Sequence, residues 1–235
     1  MKKFTRSALA AAVLTVGSTG GVAFTSTAAA ELSVNIGAVS NYYFRGLSET
    51  DNAAAIQGGI DFEHESGFYV GTWASNVDFG DDTTYELDLY LGFADELASG
   101  FGYDVGYIQY LYPDADDDLD FGEIYGELSY DMFYGGLAYT AYVEDSDAST
   151  GDVYYYLGLD VPFMDVYSAG FLVGYTDFEE SGVNGYTHYM ASLARDAGDF
   201  GEFSFNLEYA TGTSEFDEEN DAGDVKAWVG WSTTF

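Results

Sequence analysis

The chain contains no cysteine, two histidines and only six basic residues among 235. Without cysteine there is no disulfide scaffold, no thiolate metal site and no lipid-anchored cysteine at a processing point. Six Lys and Arg face 41 Asp and Glu, and a formal net charge of −35 makes nucleic acid an unsuitable partner. No segment past the N-terminus approaches the ~18 consecutive apolar residues of a membrane-spanning helix. What the chain has in abundance is apolar and aromatic surface: 47% hydrophobic residues, with 22 Tyr and 18 Phe. That is too much for a solvated acidic tail, so the chain must bury it.

The N-terminus reads as an export signal. Lys2, Lys3 and Arg6 precede the apolar run Ala8 to Val16, and Ala28-Ala29-Ala30 supplies a small-residue cleavage site. The reading predicts removal of residues 1–30 and a single mature domain over residues 31–235. The mature chain keeps only Arg45, Arg195 and Lys226 as basic residues against all of its acids.

From Glu31 onward the dominant signal has period two. Leu32, Val34, Ile36 and Ala38 alternate with Ser33, Asn35 and Gly37; Ile56, Ile60 and Phe62 alternate with Gln57, Asp61 and Glu63. In "YELDLYLGF" the residues Tyr85, Leu87, Leu89, Leu91 and Phe93 share one face, and Glu86, Asp88, Tyr90 and Gly92 the other. A helix would scatter those carboxylates around its circumference. Further segments near 68–78, 101–112, 121–130, 133–144, 153–161, 166–176, 186–195, 202–210 and 225–235 bring the total to about twelve, each near the ~9–11 residues of a tilted transmembrane strand.

Short links such as "HESG" (64–67), "YDM" (130–132) and "PFMD" (162–165) take turns with longer acidic ones, among them "RGLSETDNA", "PDADDDL" and "TGTSEFDEENDAG". Short turns at one end and long polar loops at the other characterise outer-membrane barrels. The expected fold is therefore all-β: a transmembrane antiparallel up-and-down barrel with short periplasmic turns, longer acidic extracellular loops and, for an even strand count, both termini in the periplasm. An exported β-sandwich would alternate as well, but the tyrosine-rich strands suit a lipid–water boundary. The last segment, "DVKAWVGWSTTF", ends on Phe235, and an aromatic after such a strand resembles the signal read by barrel-assembly machinery. Expected partners are thus outer-membrane lipids and that machinery during biogenesis.

The stretch "SNYYFRGLSETDNAAAIQGGIDFEHESGFYVGTWASNV" (Ser40 to Val77), with "DFGEIYGELSY" (Asp120 to Tyr130) and the terminal strand, resembles the TorF-like family of putative outer-membrane porins from Gram-negative bacteria. Its most specific part is "SNYYFRG" followed by "QGGID". The resemblance implies an outer-membrane barrel with a channel role, and it supplies no catalytic residue, cofactor or substrate.

If the greasier face of each strand meets lipid, the other lines a lumen. The pore-lining candidates are Asp61, Glu63, Glu86, Asp88, Asp104, Glu123, Glu127, Asp160 and Glu208, with Arg45 and Lys226 as the bases. A water-filled pore ringed by carboxylates concentrates cations and repels anions. Arg45 is expected at the outer end of the first strand, in phase with Asn41 and Tyr43, where its planar fork can brace the wall. Tyr90, Tyr110, Tyr134, Tyr142 and Tyr156 are expected inward as well.

The leading function is passive diffusion of small hydrophilic solutes with a preference for cations. The alternative is a non-conducting structural or adhesive barrel. A lipid-modifying enzyme is more distant, because His64 and His188 lack an evident nucleophile and orienting acid. The acidic loops, "PDADDDLD" above all, lack the spacing of a calcium-binding loop and read as solvated surface. No metal or other cofactor is expected.

Overall fold

The structure, a computed structural model, describes residues 30–116, 118–145, 150–180, 183–211 and 223–235. The expected signal over residues 1–29 and parts of the acidic loops (117, 146–149, 181–182 and 212–222) lie outside the described residues.

Alternation turns into strands along the whole described chain. They are β1 (Glu31–Val39), β2 (Tyr43–Phe44), β3 (Leu47–Ser48), β4 (Ala55–Glu63), β5 (Phe68–Asn76), β6 (Tyr85–Glu96), β7 (Phe101–Leu111), β8 (Phe121–Tyr130), β9 (Phe133–Val143), β10 (Val153–Phe163), β11 (Tyr167–Asp177), β12 (Tyr186–Asp196), β13 (Glu202–Ala210) and β14 (Lys226–Thr234). A single 3-10 turn, Gly198–Phe200, is the only helical element among the described residues. Twelve strands, β1 and β4–β14, pair antiparallel with their neighbours and close into a barrel, so no edge is left to template aggregation.

Closure is made by β1 and β14, in register from Asn35 opposite Thr234 to Val39 opposite Gly230. The seam continues one residue further: the Phe235 amide donates to the Val34 carbonyl at 2.9 Å, and the Val34 amide to the Phe235 carbonyl at 3.2 Å. The Phe235 side chain itself is 79% exposed on the outside. The last residue therefore closes the barrel with its backbone while its ring remains available.

The two faces separate sharply. Leu89, Leu91, Ile124, Leu128, Leu157 and Phe171 are exposed on the outside, whereas Glu86, Asp88, Asp104, Glu123, Glu127 and Glu208 are buried within. Such an inside-out arrangement of polarity is stable only if the outer face meets hydrocarbon. Space for the inward tyrosines comes from inward glycines on neighbouring strands. A Cβ at Gly71, Gly106 or Gly136 would collide with the ring of Tyr90, Tyr125 or Tyr156 respectively, so these glycines seat aromatic rings flat against the wall.

Two expectations change. Tyr142 stands on the outer face, 44% exposed. The ladder between β8 and β9 shifts there, with Gly122 opposite Tyr142 but Glu123 opposite Thr140. The extra residue, Ala141, forms a bulge that reverses the side-chain phase. Arg45 is likewise not on the first strand, because β1 stops at Val39 and the chain turns into the bore.

Candidate functional site

Residues 40–54 join β1 to β4 by way of a small hairpin lodged inside the barrel. Tyr43 and Phe44 of β2 pair with Ser48 and Leu47 of β3, and Arg45 and Gly46 form the two-residue turn with φ of 51° and 87°. Two successive left-handed residues are what a tight hairpin turn with the native strand twist requires. Gly46 adopts that conformation freely, while Arg45 is held there by its contacts. The hairpin also braces itself. The Ser48 hydroxyl donates to Asn41 Oδ1 at 2.7 Å, the Thr50 hydroxyl to the Ala53 carbonyl at 2.7 Å, and the Glu49 amide to the Tyr42 carbonyl at 2.8 Å.

The hairpin crosses the bore at the end carrying the longer loops. Tyr42 meets Trp73 of β5 edge-on, Phe44 meets Tyr110 of β7 in the same way, and Tyr43 stacks on Trp228 of β14. Gly46 lies against His188 of β12 and Ala210 of β13, so closely that a Cβ there would overlap the His188 Cβ.

Arg45 is the centre of this contact. Its two terminal nitrogens donate to the two carboxylate oxygens of Glu123 on β8, at 2.9 and 2.7 Å. Its guanidinium lies 4.5 Å from the Phe44 ring centre and 4.2 Å from that of Tyr154 on β10. Tyr110 adds a 3.3 Å hydrogen bond to Glu123, and Tyr154 contacts His188 Nε2 at 2.7 Å. A planar cation between two rings with a bidentate carboxylate is the arrangement that suits Arg and not Lys. The pair joins the hairpin to the wall across 78 residues of sequence.

The other candidates occupy two levels. At the long-loop end are Glu86, reached by the Tyr42 hydroxyl at 3.4 Å, Asp88, Glu123 and Glu208. Lys226 faces inward beside them, in register with Glu208. Nearer the termini are Asp61, Asp104 and Glu127, each receiving a tyrosine hydroxyl: Tyr90 on Asp61, Tyr69 on Asp104 at 2.7 Å, and Tyr156 on Glu127 at 2.8 Å. Tyr69 also bonds Tyr125, and Asn35 donates to Asp61 at 3.1 Å. Asp104 and Glu127 stand directly opposite each other across β7 and β8. Asp160 is exposed and Glu63 half-buried at this end. The structure thus brings Arg45, Glu123, Glu86 and Asp88 together, and holds Asp61, Asp104, Glu127 and Asp160 as a separate set. His64 lies in the short turn between β4 and β5, bonded to Ser66, and has no part in either.

The sequence reading set Asn41 and Tyr43 in phase with Arg45 on the first strand and gave His188 no catalytic role; it missed the hairpin itself, with Tyr42 and Thr50, and the wall residues Tyr154 and Trp228. A sequence signal was present: Tyr-Phe, Arg-Gly, Leu-Ser is two apolar-containing pairs around a glycine turn, the short-hairpin pattern.

An apolar outer face, a polar interior and complete strand closure define a transmembrane β-barrel. The chain belongs to the family described as "Bacterial protein of unknown function (Gcw_chp)", whose model matches residues 23–235. Comparison with curated protein sequences found no match. Among solved structures the barrel is similar to one named "KdgM porin", with a TM-score of 0.59, 10% identity, and coverage of 86% of this chain and 99% of that one. A structure named "KdgM porin in complex with disordered oligogalacturonate" gives a TM-score of 0.59 at 11% identity, with the same coverage. The NanC porin structure gives 0.54 at 11%, covering 86% of this chain and 98% of that one. At such identities the likeness is one of fold.

Proposed function

We propose that the protein is a porin-type channel of the bacterial outer membrane, admitting small hydrophilic solutes and favouring cations and neutral molecules over anions. The observation that carries this reading is the set of inward carboxylates inside a closed twelve-stranded barrel with an apolar exterior. A low-dielectric wall carrying one sign of charge raises the local concentration of the other. In this reading residues 1–30 are an export signal, the termini face the periplasm, Phe235 is the assembly signal, and the pore-lining residues are those named above. The likeness of Ser40 to Val77 to the TorF-like putative porins agrees with it. In this reading the hairpin of residues 41–50, packed on wall residues at the long-loop end, is the constriction, and conductance should be low for a barrel of this width.

One neighbouring structure holds an oligogalacturonate, a chain of carboxylated sugars. An acidic interior repels such a polyanion, so this chain serves solutes of different charge. The refolded protein in a planar bilayer should conduct, and its reversal potential in a KCl gradient should report cation preference; preference for anions would overturn the assignment. A second reading, a non-conducting barrel with a structural or adhesive role, is favoured by the hairpin's close packing across the bore. It predicts that the barrel stays silent in the bilayer under every salt condition.

A further inference from the structure

The outside of the barrel carries an aromatic rim at each end of its apolar band. Tyr85, Tyr155, Tyr175 and Tyr189 mark the long-loop end, each more than 40% exposed. Phe93, Phe101, Phe133 and Phe203 mark the end nearer the termini, with Trp231 in register beside Phe203. Such rims lie at the two lipid–water boundaries, so the second one fixes the level of the lipid head groups on the termini side.

One cation stands in that rim. Of the three bases beyond residue 30, Arg45 is buried in the bore on Glu123 and Lys226 faces inward, whereas Arg195 is exposed. Arg195 shares the outer face of β12 with Leu193, which is 44% exposed, and lies between Tyr167 of β11 and Phe203 of β13 by register. Its neighbour Asp196 is turned to the β12–β13 connection, where Oδ1 accepts the Gly198 amide at 2.7 Å. Among the described residues no carboxylate forms an ion pair with Arg195.

An arginine on a lipid-facing wall is costly at the midplane and close to neutral at the boundary, where its stem can lie on apolar surface and its head can reach the head groups. The planar fork then meets phosphate oxygens with two parallel N–H donors. Elsewhere at this end the connections expose acids, Glu65, Asp131, Asp165 and Asp199 among them, which repel an anionic head group. We propose that Arg195, flanked by Tyr167 and Phe203, is a contact site for the phosphate of an anionic phospholipid in the leaflet nearer the termini. The site rests on the apolar exterior and not on conduction, so a barrel that proved silent would leave it standing.

The test uses the full barrel in phosphatidylcholine vesicles that contain phosphatidylglycerol with brominated acyl chains, which quench tryptophan on contact. In W73F/W228F the sole tryptophan is Trp231, two strands from Arg195 and so roughly 10 Å away. A second reporter, W73F/W228F/W231F/F93W, places the tryptophan on the same rim but on β6, six strands from β12 either way round. Relative affinity for phosphatidylglycerol over phosphatidylcholine should be about fivefold higher at Trp231 than at position 93, the effect of one base at an anionic lipid surface. R195Q should bring the two positions level, and inorganic phosphate at equal ionic strength should not displace the lipid. Equal quenching at the two positions in the native-Arg195 barrels, an undiminished preference in R195Q, or displacement by inorganic phosphate, which would make the site one for a free anion, would overturn the inference. If loss of Trp73 and Trp228 prevents refolding, native mass spectrometry of the unmodified barrel and of R195Q with the two lipids decides the same question: phosphatidylglycerol retained preferentially by the first and not by the second supports the site, and equal retention by both overturns it.

Discussion

At the long-loop end of the bore, a charged side chain from an inserted hairpin meets a carboxylate 78 residues away. At the termini end, carboxylates meet tyrosine hydroxyls that project from nearby strands of the same wall. Both ends are acidic, and both are built on alternating strands. They differ in what offsets the burial of their best-held acids: for Glu123 an ion pair supplied by the inserted hairpin, for Asp61, Asp104 and Glu127 neutral tyrosine hydroxyls. Removal of a few residues should therefore empty the first end, whereas the second is part of the barrel wall and persists as long as the barrel does.

The largest effect is expected from removing that difference outright. Replacing residues 41–50 by two glycines should leave the barrel closed, because none of its wall strands is touched, and should raise single-channel conductance several-fold. Unchanged conductance would show that the bore is limited at the tyrosine level instead. Next, R45A leaves Glu123 buried with no cation, and loss of one partner of a buried pair costs on the order of 3–5 kcal/mol. Urea unfolding in detergent should report that loss, while R45L/E123L, which removes both charges, should recover much of it. If the two variants unfold alike, the pair is not what secures the hairpin.

Smaller changes sharpen the termini end. D104N/E127Q removes two carboxylates that face each other across one strand pair while preserving their hydrogen-bonding shape. Cation selectivity should fall at low salt, and the difference should fade at ~1 M, where the screening length is about 3 Å. A shift as large in high salt would mean that the pair acts by shape. Deleting Phe235 should change the bore least. The seam loses two backbone hydrogen bonds of 2.9 and 3.2 Å, and yield in the outer membrane should drop while the conductance of assembled barrels stays the same. Undiminished yield would show that the terminal ring has no role in assembly.

Strand positions and their faces were legible before any coordinates, because a strand's side chains alternate by a local rule and the chain repeats that pattern in every segment. Glu86, Asp88, Glu123 and Glu127 could be assigned to the interior from their apolar neighbours alone. Tyr142 could not, since a bulge is one extra residue in the pairing of two strands and leaves no mark on the alternation of either. The inserted hairpin and the enclosure of Arg45 between Phe44 and Tyr154 were decided by tertiary structure. Each depends on elements distant in sequence meeting across a closed bore, and the chain acquires that bore only when β1 and β14 join.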